Sequence, residues 1–329
     1  MNWTKFGWQG LTVEIPEHWE MGGLSGDYKS GYLRLDDGEI PRLELKWSKA
    51  RGKKPDLQKV LDEYFKLVRK DFKKKGPPLN IKRNINLVKD ESFFENRTAN
   101  FFSWKSNVRA NGAIWHCHEC KRIVVVQVIG HPKENMRDIT LRIFHSVSDH
   151  PTGYTNLWSV YQLNVEIPRR YKLEKQKLMS GYLLLSFVDG SRTIAVERYG
   201  PADVLLKEND LETWFRSTYA KAIRGYGFSI GEKNTESDEI LELDGSKIRL
   251  IDKVPMSPVL LVDKIMRRTS FAAQLWHCHK SNRIFAVRVV LKGDAAKIAK
   301  EVADSIQCCR TDTEYSMDED LMEFDTQDE

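Results

Sequence analysis

The sequence predicts an α+β protein: two tandem copies of one domain, each an antiparallel sheet packed with two helices, followed by a disordered acidic tail. Three observations support this fold class: short motifs that occur twice, the same order of strand-like and helix-like segments in each occurrence, and an abrupt change of charge near the C-terminus. A chain of 329 residues suits two domains of ordinary size. We place the first copy at 1–150, the second at 151–310 and the tail at 311–329.

The internal repeat rests on three motifs that return in the same order. They are Leu-Thr-Val-Glu-Ile-Pro at 11–16 and Leu-Asn-Val-Glu-Ile-Pro at 163–168, Ser-Gly-Tyr-Leu at 30–33 and 180–183, and Trp-His-Cys-His at 115–118 and 276–279. Recurrence in a fixed order is the signature of a duplication. The wider spacing of the last pair indicates a small insertion in the second copy, near 235–245.

Strands open each copy. In the first, Val13 and Ile15 alternate with polar residues and Pro16 follows, which is typical of a strand that ends at a residue unable to continue a ladder. Asp-Asp-Gly at 36–38 then separates two strand-like runs and is a turn signal. The segment therefore predicts a strand followed by a hairpin.

A helix follows the hairpin in each copy. Asp56 is a suitable N-cap and Gly76 a suitable stop for the first helix. Its apolar face comprises Leu57, Val60, Leu61, Tyr64, Val68 and Phe72. In the second copy Asp210 and Gly225 take these roles. The corresponding face comprises Leu211, Trp214, Phe215, Thr218 and Ala222.

Further strands and a closing helix complete each copy. The predicted strands of the first copy are 100–108, 113–118 and 122–129, and its closing helix spans 133–147. The closing helix of the second copy spans 294–307. An antiparallel sheet with helices packed on it is the natural architecture for this order.

The element order and the opening motif resemble the PsbP/DcrB-like superfamily. Its members often begin with an apolar strand that ends in Pro-x-x-Trp, and here Pro16 is followed by Trp19 at that spacing. The second copy departs from the motif, because Tyr171 stands where the tryptophan is expected after Pro168. The superfamily includes secretory, photosynthetic and nuclear-transport proteins, most of them thought to act through binding. The resemblance therefore implies a fold and hardly any function.

Charge is partitioned along the chain. The formal net charge of +5 divides into +8 for the first copy, +6 for the second and −9 for the tail. The tail has nine carboxylates and no basic residue, so it cannot build a core and we expect it to be disordered. It either solubilises the protein, binds a protein partner through Leu321, Met322 and Phe324, or folds back onto the basic first helix.

A basic surface is predicted around the first helix, because residues 51–83 contain twelve basic and four acidic residues. Lysines at the helix end complement the helix dipole, so an ordinary solvated face is one interpretation. The other is a polyanion site that contacts the phosphates of a nucleic acid or ribonucleoprotein. Its candidate residues are Lys70, Lys73, Lys74, Lys75, Lys105 and Arg109.

The Trp-His-Cys-His motif has two interpretations. On a strand, Trp115 and Cys117 point to one side while His116 and His118 point to the other. We expect the tryptophan and cysteine in the core and both histidines on the outer or interdomain face. Alternatively His116 and His118 hold a metal, although the sequence identifies no third ligand.

The Cys-x-x-Cys spacing at 117–120 does not predict redox catalysis. That chemistry needs the first thiol at a helix N-terminus, and here it lies on a strand. The second copy also has Ser281 where the first has Cys120.

Most well-marked enzyme classes are not indicated, because the P-loop, His-Glu-x-x-His and Gly-x-Ser-x-Gly motifs are missing. No apolar run reaches bilayer length, and the first residues lack a secretory signal, which predicts a cytoplasmic location. We expect a non-enzymatic binding or scaffold protein without a cofactor, whose acidic tail recruits a partner or regulates access to the basic body. A metal-dependent enzyme and a nucleic-acid or ribonucleoprotein binding protein are the alternatives.

Overall fold

Two similar antiparallel sheets of seven strands, arranged in tandem and packed with helices, confirm the predicted α+β class. The computed structural model describes residues 1–52, 54–73, 77–207, 209–234, 238–247 and 269–307; at 71–73, 232–234, 238–239 and 247 it describes the backbone alone. The predicted tail at 311–329 lies outside the described residues.

The first copy begins with a hairpin of two strands, β1 (Trp3–Trp8) and β2 (Leu11–Pro16). The sheet strands are β3 (Glu20–Gly26), β4 (Ser30–Asp36), β5 (Pro41–Lys49), β6 (Asn80–Arg83), β7 (Arg97–Lys105), β8 (Arg109–Cys117) and β9 (Arg122–Gly130). Their spatial order is β3-β4-β5-β9-β8-β7-β6. Helix α1 (Leu57–Lys73) connects β5 to β6, and α2 (Arg137–Ser146) follows β9.

The second copy repeats this topology. Its strands are β10 (Thr155–Val160), β11 (Leu163–Pro168), β12 (Lys172–Met179), β13 (Tyr182–Asp189), β14 (Arg192–Tyr199), β15 (Tyr226–Asn234), β16 (Asp238–Lys247), β17 (Thr269–Cys278) and β18 (Arg283–Lys292). After the β10–β11 hairpin, the sheet order is β12-β13-β14-β18-β17-β16-β15. The helices are α3 (Ala202–Leu206), α4 (Leu211–Thr218) and α5 (Ala295–Asp304).

Several element boundaries differ from those predicted. The turn between β7 and β8 lies three to four residues earlier than expected, since the backbone amide of Ser106 bonds to the carbonyl of Val108 and closes it. Helix α4 ends at Thr218, so the predicted face residues Thr218 and Ala222 are exposed. Tyr219, which directly follows the helix, is buried in their place.

The seven-stranded sheet of the first copy separates two apolar layers. On one face α1 buries Leu61 and Phe65 against Phe102, and Asp56 caps the helix by accepting from the backbone amides at 58 and 59. On the other face α2 and the β1–β2 hairpin cover Trp115 and its neighbours. Strand alternation assigns successive β9 residues to opposite layers.

The two copies meet through their opening hairpins. The rings of Trp8 and Trp158 are in edge contact, with centroids 5.0 Å apart, and both side chains are almost fully buried. The backbone amide of Gly7 donates to Ser159 Oγ at 3.0 Å. Gly7 and Ser159 hold equivalent places in β1 and β10, so equivalent residues of the repeat touch each other there. One apolar cluster therefore runs through both copies.

We expect Gly7→Ala to weaken this junction. A Cβ atom at Gly7 would lie 2.5 Å from the carbonyl oxygen of Leu157 and 2.7 Å from its Cβ, so the hairpins must move apart, at a cost of about 1–3 kcal/mol in the free energy of unfolding. Gly153→Ala is the control, because a Cβ there meets nothing within 4 Å. Equal urea denaturation midpoints for the two variants would contradict the tight contact.

Within the described residues, no helix is long and apolar enough to cross a membrane.

Candidate functional site

A groove opens in the first copy between α1 and the sheet. Its volume is about 650 Å³, within the range typical of small-molecule and peptide sites. The groove is lined by Tyr32, Ile40, Pro41, Glu44, Lys46, Leu67, Val68, Trp104, Asn107, Val108, Gln127 and Ile129. The walls are therefore mainly apolar and aromatic, with a few polar groups on the sheet side.

Hydrogen bonds fix the polar floor of the groove. Tyr32 donates its hydroxyl to Glu44 Oε1 at 2.7 Å, and Gln127 Nε2 donates to Glu44 Oε2 at 2.5 Å. Trp104 Nε1 donates in turn to Gln127 Oε1 at 2.9 Å. Burial and the neighbouring Glu44 carboxylate raise the pKa of Tyr32, so its hydroxyl stays neutral and remains a donor. Both oxygens of Glu44 are thus engaged by neutral partners.

Lys46 lies in the same groove without a carboxylate partner. Its Nζ atom is 5.4 Å from the ring centroid of Tyr32 and 5.0 Å from that of Tyr64. The side chain is half-buried and forms no ion pair with any residue that the structure describes. Leu67, nearby on α1, is 57% exposed although it is a large apolar side chain. The groove therefore presents a cation beside an uncovered apolar surface.

In the second copy the carboxylate at the corresponding position is buried and paired with an arginine. Glu197, which is 2% exposed, accepts hydrogen bonds from Tyr182 and Tyr219. Arg288 stands where Gln127 stands in the first copy and forms a 2.8 Å ion pair with Glu197. The Arg288 guanidinium also lies 4.7 Å from the ring centroid of Tyr219. The charge of Glu197 is thus balanced by an arginine of the same copy, whereas Glu44 in the first copy accepts from neutral donors.

Those residues predicted to bind a polyanion that the structure describes lie on different elements. Lys70 is exposed on α1. Lys105 and Arg109 face each other across β7 and β8, and Arg109 donates to the carbonyl of Glu134 at 3.4 Å, on the α2 side of the sheet. The side chain of Lys73, all of Lys74 and Lys75, and the predicted partner-binding residues Leu321, Met322 and Phe324 lie outside the described residues.

His116 corrects the expectation that both histidines lie on the outer or interdomain face. It is 5% exposed because β8 is an interior strand of the sheet, paired on both sides. Its Nε2 atom has no hydrogen-bond partner among the described residues, and burial lowers its pKa. His118 is exposed, with Nε2 2.9 Å from Thr98 Oγ1.

A different set of donor side chains comes together beside this strand. Cys117, Cys120, Asp149 and His150 place one donor atom each within 4.8 Å of one another. In the described part of the chain this is the one group of three or more such side chains, and it does not include His116 or His118. Among the described residues, no third ligand joins His116 and His118.

The pKa values of both thiols in the cluster differ strongly from the usual value of a cysteine. The hydrogen bond between the two cysteines lowers the pKa of Cys117 to about 6 and raises that of Cys120. Burial acts to lower the pKa of His150, but its hydrogen bond with Asp149 and the charge of that carboxylate outweigh burial and raise it. The four side chains therefore interact as one unit.

Comparisons with known proteins identify no family: no family model and no curated protein matches the chain. Two solved structures are similar over 93% of this chain and 97% of theirs. They are the apo immunity protein TplEi of T6SS from Pseudomonas aeruginosa, at 9% identity and a TM-score of 0.30, and the same protein complexed with "L" peptide, at 10% identity and 0.31. At this level the similarity carries no conclusion about function.

Sequence reasoning missed both the groove and the cysteine cluster. Cys-x-x-Cys was the available signal for the cluster, because it supplies half of a zinc site at a common spacing. Asp149 and His150 gave no signal, since they lie about thirty residues away in a segment without a motif. The groove depends on how far α1 stands from the sheet, which no local pattern encodes.

Proposed function

We propose that this chain is a non-enzymatic, intracellular binding protein whose first copy holds an acidic, partly apolar segment of a protein partner in the groove between α1 and the sheet. The observation that carries the proposal is Lys46, a half-buried cation that pairs with no carboxylate among the described residues. A cation at a partly dehydrated site attracts a carboxylate more strongly than a cation in water does.

The groove walls favour a segment that also brings apolar side chains. Val68 and Ile129 line it, and Leu67 remains exposed near its mouth. Covering such surface removes apolar area from water and so favours the complex. A ligand that carries an apolar side chain next to a carboxylate therefore fits better than a purely charged polymer.

The acidic tail has this chemistry, because Leu321, Met322 and Phe324 stand among nine carboxylates. We therefore propose that the tail competes with the partner for the groove and so regulates access to it. Removing the tail raises the formal net charge from +5 to +14, which strengthens the attraction of any acidic ligand at low salt.

The test measures binding of a fluorescent peptide with the sequence of 311–329 to the chain truncated after residue 310. We expect saturable binding that weakens at least about tenfold in Lys46→Glu, because the substitution turns attraction into repulsion inside the groove. Lys177→Glu is the matched control: Lys177 is an exposed lysine over the Tyr182 ring of the second copy. Both variants lower the net charge by the same amount, so long-range effects cancel.

A second peptide, with Leu321→Ala and Phe324→Ala, separates the two classes of ligand. It keeps every charge, so a groove that takes apolar side chains binds it more weakly. Equal binding of both peptides, or equal loss in Lys46→Glu and Lys177→Glu, would contradict the groove proposal and favour general polyanion binding with a steep salt dependence.

A further inference from the structure

We propose that Cys117, Cys120, Asp149 and His150 form a zinc site that fastens the junction between the two copies to the first sheet. Cys117 ends β8, Cys120 lies in the turn to β9, and Asp149 and His150 follow α2 on the way to β10. Their donor atoms all lie within 4.8 Å of one another. Two segments that lie about thirty residues apart in the chain thus converge on one point.

The four donors suit zinc by number and by type. Two sulfur atoms, one imidazole nitrogen and one carboxylate oxygen supply the four ligands of a tetrahedral site. Cys117 Sγ is 3.6 Å from His150 Nδ1, and Cys120 Sγ is 3.8 Å from Asp149 Oδ1. Thiolate ligands favour zinc over calcium or magnesium, which prefer oxygen.

The surrounding hydrogen bonds orient the ligands as metal sites require. His150 turns Nδ1 toward the cluster and Nε2 toward Glu119, whose Oε2 is 3.0 Å away. A carboxylate on the far nitrogen of a ligating histidine is the usual arrangement around zinc. Asp149 accepts from Trp115 Nε1 through Oδ2 at 2.6 Å, so Oδ1 is the oxygen that faces Cys120.

The geometry argues against a cysteine hydrolase. In such an enzyme the histidine contacts the thiol with one ring nitrogen and the orienting carboxylate with the other. His150 Nε2 does face the Glu119 carboxylate, but Nδ1, the atom 3.6 Å from Cys117 Sγ, also lies 2.6 Å from Asp149 Oδ1. The nitrogen that would have to take the thiol proton is therefore already held by a second carboxylate. A metal site needs all its donor atoms close to one point, as they are here. A proton relay needs the donors arranged in a chain.

The site is a property of the first copy. The second copy retains Cys278 at the position of Cys117 but has Ser281 at that of Cys120. Asp149 is 2% exposed, and its carbonyl accepts from Arg122, which also donates to the carbonyl of Gln9 in the β1–β2 turn. Zinc here would therefore tie the segment between the copies to the first sheet, next to the contact that Arg122 makes with the β1–β2 turn.

The experiment titrates Zn²⁺ into the full-length chain under reducing conditions, after chelator treatment, and measures stoichiometry and affinity. We expect one equivalent to bind and to raise the unfolding temperature. Cys120→Ser and His150→Ala are each expected to weaken binding at least about 100-fold, and Glu119→Gln about tenfold, as loss of an outer hydrogen-bond partner does. Cys278→Ser, the matched cysteine of the second copy, is expected to bind as the parent does.

Three results would overturn the proposal. They are no zinc uptake by the reduced parent chain, unchanged affinity in both Cys120→Ser and His150→Ala, or an equal loss in Cys278→Ser. Because Glu119 is an exposed side chain, Glu119→Gln folds normally even if the ligand variants do not, and an unchanged affinity in that variant would count against the carboxylate–histidine arrangement.

Discussion

Trp115→Ala is expected to lower the free energy of unfolding by about 3–5 kcal/mol, as truncation of large core aromatics does. The side chain is fully buried between the sheet and the layer that α2 and the hairpin form. Its ring meets Phe93 edge-on with centroids 6.2 Å apart. Removing it leaves a cavity and also strips Asp149 Oδ2 of its donor. Urea denaturation measures the loss, with a chelator present so that metal binding does not contribute.

Two comparisons make this prediction specific. Trp276→Ala removes the equivalent tryptophan, which stacks on Phe285 with centroids 5.2 Å apart, so a loss of similar size is expected. His116→Ala changes the next residue of β8, which points to the opposite face and has no partner on Nε2 among the described residues. We expect less than about 2 kcal/mol there, since no hydrogen bond is lost. Equal losses in all three variants would show that the two faces of the strand are wrongly assigned.

Arg288→Met is expected to lower the free energy of unfolding of the chain by about 3–5 kcal/mol, because it leaves the buried Glu197 carboxylate without its counter-charge. Glu197 keeps its tyrosine hydroxyl donors, but these are neutral and compensate only part of the desolvation of a full charge. Guanidinium chloride is a salt and would screen the ion pair, so the free energy of unfolding is measured with urea.

The charge explanation predicts a partial rescue. Glu197→Gln in the Arg288→Met background removes the uncompensated charge and keeps an acceptor for the tyrosines, so part of the lost stability should return. Gln127→Met is the matched change in the first copy. It costs about 1–2 kcal/mol, because only neutral donors are lost and Glu44 remains partly exposed. A double variant no more stable than Arg288→Met would exclude the charge explanation.

Local patterns in the sequence were sufficient for the duplication, the α+β class and most of the elements. Asp56 and Asp210 both cap the helices they were predicted to cap. The hairpin around the Asp-Asp-Gly turn also forms as predicted, because turn chemistry involves only neighbouring residues. The strands β1 and β3 were not predicted, since the glycines in β3 and the short apolar run in β1 weaken their alternation.

Contacts between distant segments were decided by the tertiary structure alone. The sequence by itself determined that Cys117 and Cys120 are close, because they are three residues apart. Only the return of the chain through α2 across the sheet places Asp149 and His150 beside them. In the same way, the amphipathic pattern of α1 determined which of its faces is buried, while the packing of that helix on the sheet decided that Lys46 lies in an open groove. Local propensity and periodicity act over a few residues, whereas these sites depend on packing between elements that are far apart in the chain.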